Sequence, residues 1–337
     1  MPPSRQRRAE PSLPGARDID FRTVPGQRLI RSALLWASRN RRIERFVRSS
    51  RAVRPLVSRF MPGETIADAL RAVRELQAER TPSIITYLGE NSASDADADE
   101  TVAEYERLLA ALVAEGSDAH ISIKLTQFGW DLDRTRALHR VHAVAGIARA
   151  ARTVLAIDME SSEYVDSTVD AYEMLAREFT DAALCLQAYL HRTPADVHRL
   201  LLARPYIRLV KGAYREPASV ALQSRVDVSA RYRVLAHELL GRVRDGVRVA
   251  FGTHDVPLLR QVRENARALG VSSGAYEIQM LYGIQNEARH ALAAEGERVR
   301  VLISYGRAWY PWFMRRLAEK PSNMLFILRS LDTTSSP

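Results

Sequence analysis

Lysine is rare in this chain: Lys124, Lys211 and Lys320 are three among 49 basic residues, the rest being arginine. An ammonium is a compact point charge, so a lysine kept where arginine is the default cation is a candidate for chemistry that needs one. Lys124 stands between Ile123 and Leu125 inside an apolar run. A cation there is costly unless paired, and Asp158, inside the next apolar run, is the expected partner. Lys211 ends the stretch Ile207-Arg208-Leu209-Val210-Lys211-Gly212-Ala213-Tyr214, which Pro205 and Pro217 frame as extended chain. A Lys-Gly pair at a strand end lets backbone approach a ligand beside a cation, although a strand that merely ends in a surface lysine fits the same residues.

Further polar groups recur at the ends of apolar runs: Glu160 after Asp158, Gln187 and Tyr189, Thr253-His254-Asp255, and Gln279 with Tyr282. Near the C-terminus Arg315 and Arg316 follow a cluster of aromatic residues. Two guanidinium forks suit a carboxylate or phosphate, and a solvated pair is the equal alternative in an arginine-rich chain. No His/Cys cluster has metal-ligand spacing; His191 and His198 are too far apart, so no metal is expected.

Eight short apolar runs must carry these groups: Ile84–Tyr87, Ile121–Thr126, Val154–Met159, Leu184–Leu190, Ile207–Val210, Val247–Gly252, Ala275–Leu281 and Val299–Ser304. Helical patterns follow each, at about 101–115, 134–150, 165–180, 194–203, 219–244, 256–269, 285–295 and 307–319. Thr193-Pro194 and Asp255-Val256-Pro257 read as helix starts, and Gly116, Gly246 and Gly270 as stops. Eight consecutive βα units predict a closed α/β barrel, whose ligands bind where the strands end. The rival, a doubly wound open sheet, usually carries a G-x-G-x-x-G turn, and none is present.

The divisions expected are a basic arm at 1–26 too polar and Pro-rich to fold, a helical segment at 27–80, the barrel at 81–325 and a tail at 326–337. Within the helical segment, Leu29–Val53 reads as one basic helix and Thr65–Glu79 as another. The net charge of +9 is an N-terminal property: residues 1–60 hold 15 arginines against four acids, +11, leaving −2 for the rest. Cys185 is the one cysteine, which excludes an intrachain disulfide and fits a reducing compartment. No apolar run reaches a membrane span and no secretory leader is visible, so a cytoplasmic location is expected.

The segments Ser122-Ile123-Lys124-Leu125-Thr126, Ile157-Asp158-Met159-Glu160, Gln187-Ala188-Tyr189-Leu190, Arg208 to Tyr214, Thr253-His254-Asp255, Tyr276 to Gly283 and Tyr310 to Leu317 together resemble proline dehydrogenase of the single-function bacterial type. The resemblance covers roughly residues 60–325, with all seven segments in order. It implies a distorted (β/α)8 barrel preceded by N-terminal helices. It also implies an FAD enzyme that oxidises L-proline to Δ1-pyrroline-5-carboxylate and passes electrons to a quinone. By position, Arg315 and Arg316 would hold the substrate carboxylate, with Lys124 a further substrate contact. Asp158 and Arg208 match the family's active-site Asp and Arg. Met159, Gln187, Lys211, Gly212, Ala213, Thr253 and His254 match its flavin contacts.

One departure touches the substrate. The family's eighth strand commonly carries a tyrosine that walls the substrate ring, and Leu302 stands in its place, while Trp312 stands where a tyrosine is common. A modified or larger cyclic imino acid is therefore an alternative substrate. Two other readings compete: a Schiff-base enzyme using Lys211 or Lys124, and a non-enzymatic protein whose basic arm binds nucleic acid or membrane. The arm has no nucleic-acid motif, so no nucleic acid is expected. Residues 28–60, with ten arginines and one acid beside Leu35, Trp36 and Phe46, suit peripheral contact with an anionic membrane, or alternatively a helix packed on the barrel.

Overall fold

Successive residues of a strand point to opposite faces, so each apolar run above must serve two environments. The computed structural model describes residues 40–49 and 54–319. Eight parallel strands close into a barrel in chain order: β1 (Ser83–Tyr87), β2 (His120–Ile123), β3 (Leu155–Ile157), β4 (Ala182–Gln187), β5 (Tyr206–Val210), β6 (Arg248–Gly252), β7 (Glu277–Leu281) and β8 (Val299–Tyr305), with β8 paired back to β1. The helices are α1 (Arg41–Ser49), α2 (Arg54–Phe60), α3 (Ile66–Ala78), α4 (Asp95–Ala114), α5 (Arg134–Ala150), α6 (Val165–Ala176), α7 (Thr193–Leu201), α8 (Arg225–Gly241), α9 (Val256–Ala268), α10 (Asn286–Ala294) and α11 (Trp309–Glu319).

Outward residues such as Ile121, Leu184, Leu209, Phe251 and Ile278 join the facing sides of α3 to α10 in one apolar core. Inward residues form three tiers. The floor is ionic: Glu277 accepts from Arg300 Nε at 3.1 Å, Arg300 Nη2 at 3.1 Å, Arg298 Nη2 at 3.0 Å and the Tyr206 hydroxyl at 3.1 Å. A middle tier of Ile84, Ala156, Ala183 and Ala250, with Leu302 partly buried against it, is mostly small. Two residues further along the same strands, Thr86, Asp158, Arg208 and Ser304 face the mouth, joined by Ser122 in register with Thr86. Small side chains beneath and polar ones above leave a recess at the carboxyl ends of the strands, where barrel enzymes keep their sites.

Helix starts follow local chemistry. Thr65 and Asp68 form a reciprocal capping box at α3, and Ser94, Asp133, Ser224 and Asp255 each accept a backbone N–H at the start of α4, α5, α8 and α9. Each cap contributes roughly 0.5–2 kcal/mol. These caps also explain where the boundaries read from sequence shift. Ser94 starts α4 ahead of 101, and Ser224 starts α8 after 219, leaving 217–224 as a loop in which Ala221 bridges Leu190. Strand 2 ends at Ile123 because Leu125–Phe128 turns into a 3-10 helix, and β3 ends at Ile157, so Lys124 and Asp158 are the first residues beyond their strands.

Of the span Leu29–Val53, read as one helix, only 40–49 is described: there α1 begins at Arg41, after Asn40, whose Oδ1 accepts from the Arg42 N–H at 2.9 Å, so the helix does not run through Asn40, and the rest of the span lies outside the described residues. α2 begins at Arg54, with Pro55 in its first turn, where a missing N–H costs nothing. The arm at 1–26 and the tail at 326–337 lie outside the described residues. No described helix is long and apolar enough to cross a membrane.

Candidate active site

Three strands converge at the mouth through one polar cluster. Asp158 leaves β3 with its Oδ1 accepting from Ser122 Oγ at 2.6 Å, and the same carboxylate pairs with Arg208 Nη2. Arg208 Nη2 also donates to Ser122 Oγ at 3.3 Å, which closes a triangle between β2, β3 and β5. Arg208 is buried, and burial pulls its pKa down to about 10, still leaving the guanidinium charged near neutrality. Its Nε and Nη1 are buried without a hydrogen-bond partner among the described residues. A buried guanidinium with two unmet donors is expensive to maintain unless a ligand meets them. The cation paired with Asp158 is thus Arg208 from β5, whereas alternation in the sequence pointed to Lys124.

Lys124 is buried beside the 3-10 turn, and its Nζ stands 3.9 Å from Glu90 Oε1 on the loop after β1. Gln127 fixes that turn: its Oε1 accepts from the Lys124 N–H at 2.9 Å and its Nε2 donates to the Tyr87 carbonyl at 2.6 Å. Glu160 is not presented to the mouth. It accepts from Thr126 N at 3.1 Å and Thr126 Oγ1 at 2.6 Å, and burial raises its pKa.

At the end of β4, between β3 and β5, Gln187 Nε2 reaches the buried Met159 carbonyl at 3.4 Å, and Gln187 Oε1 is buried without a hydrogen-bond partner among the described residues. Lys211 Nζ donates to Asp255 Oδ2 at 2.6 Å and Ser229 Oγ at 3.0 Å, joining the loops after β5 and β6. Gly212 has φ +114°, and a Cβ there would lie 2.3 Å from the Tyr189 ring. Only glycine fits, because the ring seals the turn from beneath. Ala213 follows, exposed. Thr253 Oγ1 accepts from the Asp255 N–H at 3.2 Å, and Asp255 Oδ1 caps α9 through Leu258 N at 3.1 Å. His254 Nε2 accepts from Leu281 N at 3.2 Å, which assigns its neutral-form proton to Nδ1. Arg315 and Arg316 fall in α11, but their side chains lie outside the described residues.

The structure thus gathers Lys124, Asp158, Met159, Gln187, Arg208, Lys211, Gly212, Thr253 and His254 around one rim. Two contributors were missed by sequence reasoning. Ser122 was legible, since it precedes Lys124 by two residues on β2 and shares the inward face. Glu90 was not: it lies in a loop, and no periodicity announces it. Among the described residues no cluster of His, Cys, Asp and Glu could hold a metal ion.

Comparison with known proteins decides the family. The profile described as proline dehydrogenase matches residues 69–329. The chain belongs to the proline dehydrogenase family. It is 35% identical to "Proline dehydrogenase" of Deinococcus radiodurans over 308 residues, covering 90% of this chain and 98% of that one. It is 31% identical to "Proline dehydrogenase 1" of Bacillus subtilis strain 168 over 303 residues, covering 90% and 99%. Among solved structures, the proline utilization A protein of Bdellovibrio bacteriovorus, inactivated by N-propargylglycine, superposes with a TM-score of 0.77 at 21% identity. That likeness spans 92% of this chain and 38% of the longer protein, and it speaks to the barrel alone. The proline dehydrogenase match encloses all seven segments that carried the resemblance, from Ser122 to Leu317.

Proposed function

We propose that this chain is a flavoenzyme that oxidises L-proline to Δ1-pyrroline-5-carboxylate and delivers the electrons to a quinone. The observation that carries the proposal is Arg208, buried and charged at the mouth with Nε and Nη1 unmet, beside a Gln187 Oε1 in the same condition. Unmet donors and an acceptor on one rim fit the edge of a flat heterocycle that presents both kinds of group. Family membership makes FAD the heterocycle to test. Met159, Gln187, Lys211, Gly212, Ala213, Thr253 and His254 would hold it, with Lys211 and the glycine turn suited to a diphosphate. When bound, FAD would supply the oxidant that accepts a hydride from the ring carbon beside the imino nitrogen.

The chain's own residues would do the rest. Arg315 and Arg316 on α11 are assigned the substrate carboxylate, and Lys124 a further contact. Asp158, paired with Arg208, holds that guanidinium in place. The imino nitrogen must lose a proton as the hydride leaves, and the buried mouth would keep water from competing.

Leu302 supports a variant of the same reading. It faces the barrel interior, partly buried beside Ile84 with which it is in register, and it offers no hydroxyl to a ring above it. A substituted or larger cyclic imino acid is the alternative substrate. The Schiff-base reading is less well supported, because the Lys211 amine is committed to Asp255 and Ser229 rather than presented as a nucleophile. Contact with an anionic membrane, where a lipid quinone would be met, would be electrostatic. Ile43 and Val47 of α1 pack against the α11 cluster, leaving Arg42 and Arg45 exposed.

The deciding experiment is the visible spectrum of the purified protein, followed by addition of L-proline without oxygen. A flavin band that bleaches supports the proposal. A colourless protein that borohydride traps on a carbonyl substrate ends it.

A further inference from the structure

The last helix, in its described residues, packs outside the core that surrounds the strands. Among the described residues, α3 to α10 all contribute to the core that surrounds the strands, and α11 contributes nothing to it. Its buried residues Trp309, Tyr310, Trp312, Phe313 and Met314 form a second cluster with Val57, Phe60 and Met61 of the N-terminal segment and with Leu88. The Phe60 and Phe313 rings meet at 6.3 Å between centroids. Apolar burial stabilises at roughly 25 cal/mol per Å2, so Val57, Phe60 and Met61 give α11 apolar support from the N-terminal segment.

That segment is in turn seated on the rim by contacts that tolerate little movement. Gly283, in the turn after β7, has φ +72°, and a Cβ there would lie 1.6 Å from the Arg59 carbonyl oxygen and 2.7 Å from its carbon. The backbone at the end of α2 therefore rests directly on the backbone of that turn. Gly306 N donates to the Gly63 carbonyl at 3.4 Å, and Trp309 Nε1 donates to Glu64 Oε1 at 2.7 Å. Residues 57–64 thus touch the turn after β7, the turn after β8 and α11 itself.

We infer that residues 57–64 are a strap that sets the position of α11 relative to the barrel mouth, with Gly283 and Glu64 as positioning residues for substrate binding. The inference rests on the proposed role of α11 in holding the substrate carboxylate. Neither residue touches that ligand; both act through the helix. Any side chain at position 283 must lift the strap by roughly 2 Å to reach ordinary contact distance. A shift of about 1 Å in a positioning element can cost on the order of 100-fold in kcat/KM, and a shift of the helix assigned the carboxylate should appear in KM.

The test uses the full-length holoenzyme and the variants Gly283→Ala, Glu64→Ala and Glu64→Gln. Gly283→Ala should raise KM for L-proline roughly 10- to 100-fold with kcat within about twofold, the signature of lost ground-state binding. Flavin occupancy should not change. Amide hydrogen exchange should quicken several-fold across 309–319 while the strands keep their protection. Glu64→Ala, an exposed site that leaves the core intact, should show the same pattern more weakly, and Glu64→Gln, which retains an acceptor for Trp309, should restore both readouts. Unchanged exchange in α11, an unchanged KM, or faster exchange spread evenly through the barrel would each overturn the inference. A wild-type protein without flavin or proline turnover would instead overturn the functional proposal, and the exchange measurement would still decide the strap.

Discussion

Arg208 reaches past β4 from β5 to pair with Asp158 at the end of β3, and Ser122 on β2 hydrogen-bonds to both. The three groups behave as one unit, since each removes an unmet charge or donor from another. Removing a single partner strands the other, at a cost of about 3–5 kcal/mol for a buried ion. Asp158→Asn and Arg208→Met should each lower thermal stability and activity strongly, and the double variant should cost less than the sum. Additive losses in a double-mutant cycle would show that the pair is not coupled. Ser122→Ala should cost less, about 0.5–1.5 kcal/mol, as expected for one hydrogen bond.

The same triangle shows what the sequence could and could not reveal. Period-two alternation on short apolar runs located the strands and put Lys124, Asp158 and Arg208 at their ends. It could not say which cation meets Asp158, because partner choice in a closed barrel depends on side-chain reach across the mouth. Arg208 wins because its long fork starts two residues above Tyr206 on the inward face. Strand ends were overestimated at Thr126 and Met159 because Leu125 in the 3-10 turn and the buried Met159 continue the apolar pattern without continuing the strand. The separate support of α11 left no trace in periodicity, since it depends on a segment more than 240 residues earlier in the chain.

Lys211 is the next test. It bridges Asp255 and Ser229 at the loops assigned to the flavin diphosphate. A charge-assisted hydrogen bond is worth about 1.5–3 kcal/mol, so Lys211→Ala should weaken flavin affinity roughly 10- to 150-fold. Flavin retained through dialysis at the wild-type level would remove Lys211 from the cofactor site.

The arginines of α11 should separate substrate from cofactor. Arg315→Met or Arg316→Met should raise KM for proline strongly while the flavin spectrum stays intact. Losing one partner of a desolvated carboxylate costs on the order of 3–5 kcal/mol. Normal turnover in both single variants would place the carboxylate elsewhere.

The barrel floor predicts acid sensitivity. Burial and the neighbouring Arg300 charge push His120 down to about 3. Burial pushes Glu277 up, but the charge and hydrogen bonds of Arg300 outweigh it and hold the carboxyl at about 2. Both folded values lie below the ordinary ones, so the unfolded chain binds these protons first as pH falls. The His120 contribution is complete above about pH 6.5 and is lost progressively toward pH 3. The Glu277 contribution is complete above about 4.5 and is lost toward 2. Of these two groups, only His120 acts between pH 7 and 5, at about 2 kcal/mol. Denaturant midpoints should fall over that interval in the wild type and stay nearly level in His120→Asn. Parallel slopes in the two proteins would assign the acid sensitivity to other groups.

Substrate choice should turn on Leu302. Its side chain enters the middle tier of the barrel, in register with Ile84 and beside alanines at 156, 183 and 250 that cannot fill the space. A tyrosine there would add a ring and a hydroxyl to the wall of the recess. In Leu302→Tyr the preference for unsubstituted proline should rise, and larger or hydroxylated analogues should lose ground. A methylene-sized change in an apolar pocket shifts preference by only about 1–3 kcal/mol, whereas outright exclusion of a bulky ring shifts it further. The measurement is kcat/KM for L-proline, trans-4-hydroxy-L-proline and pipecolate in both proteins. A change in the ratios, with the stability of the barrel preserved, places Leu302 at the substrate and makes the wild-type preference a direct report on its natural imino acid. Identical ratios would mean that residue 302 lies beneath the reacting ring and that the recess is walled by other residues.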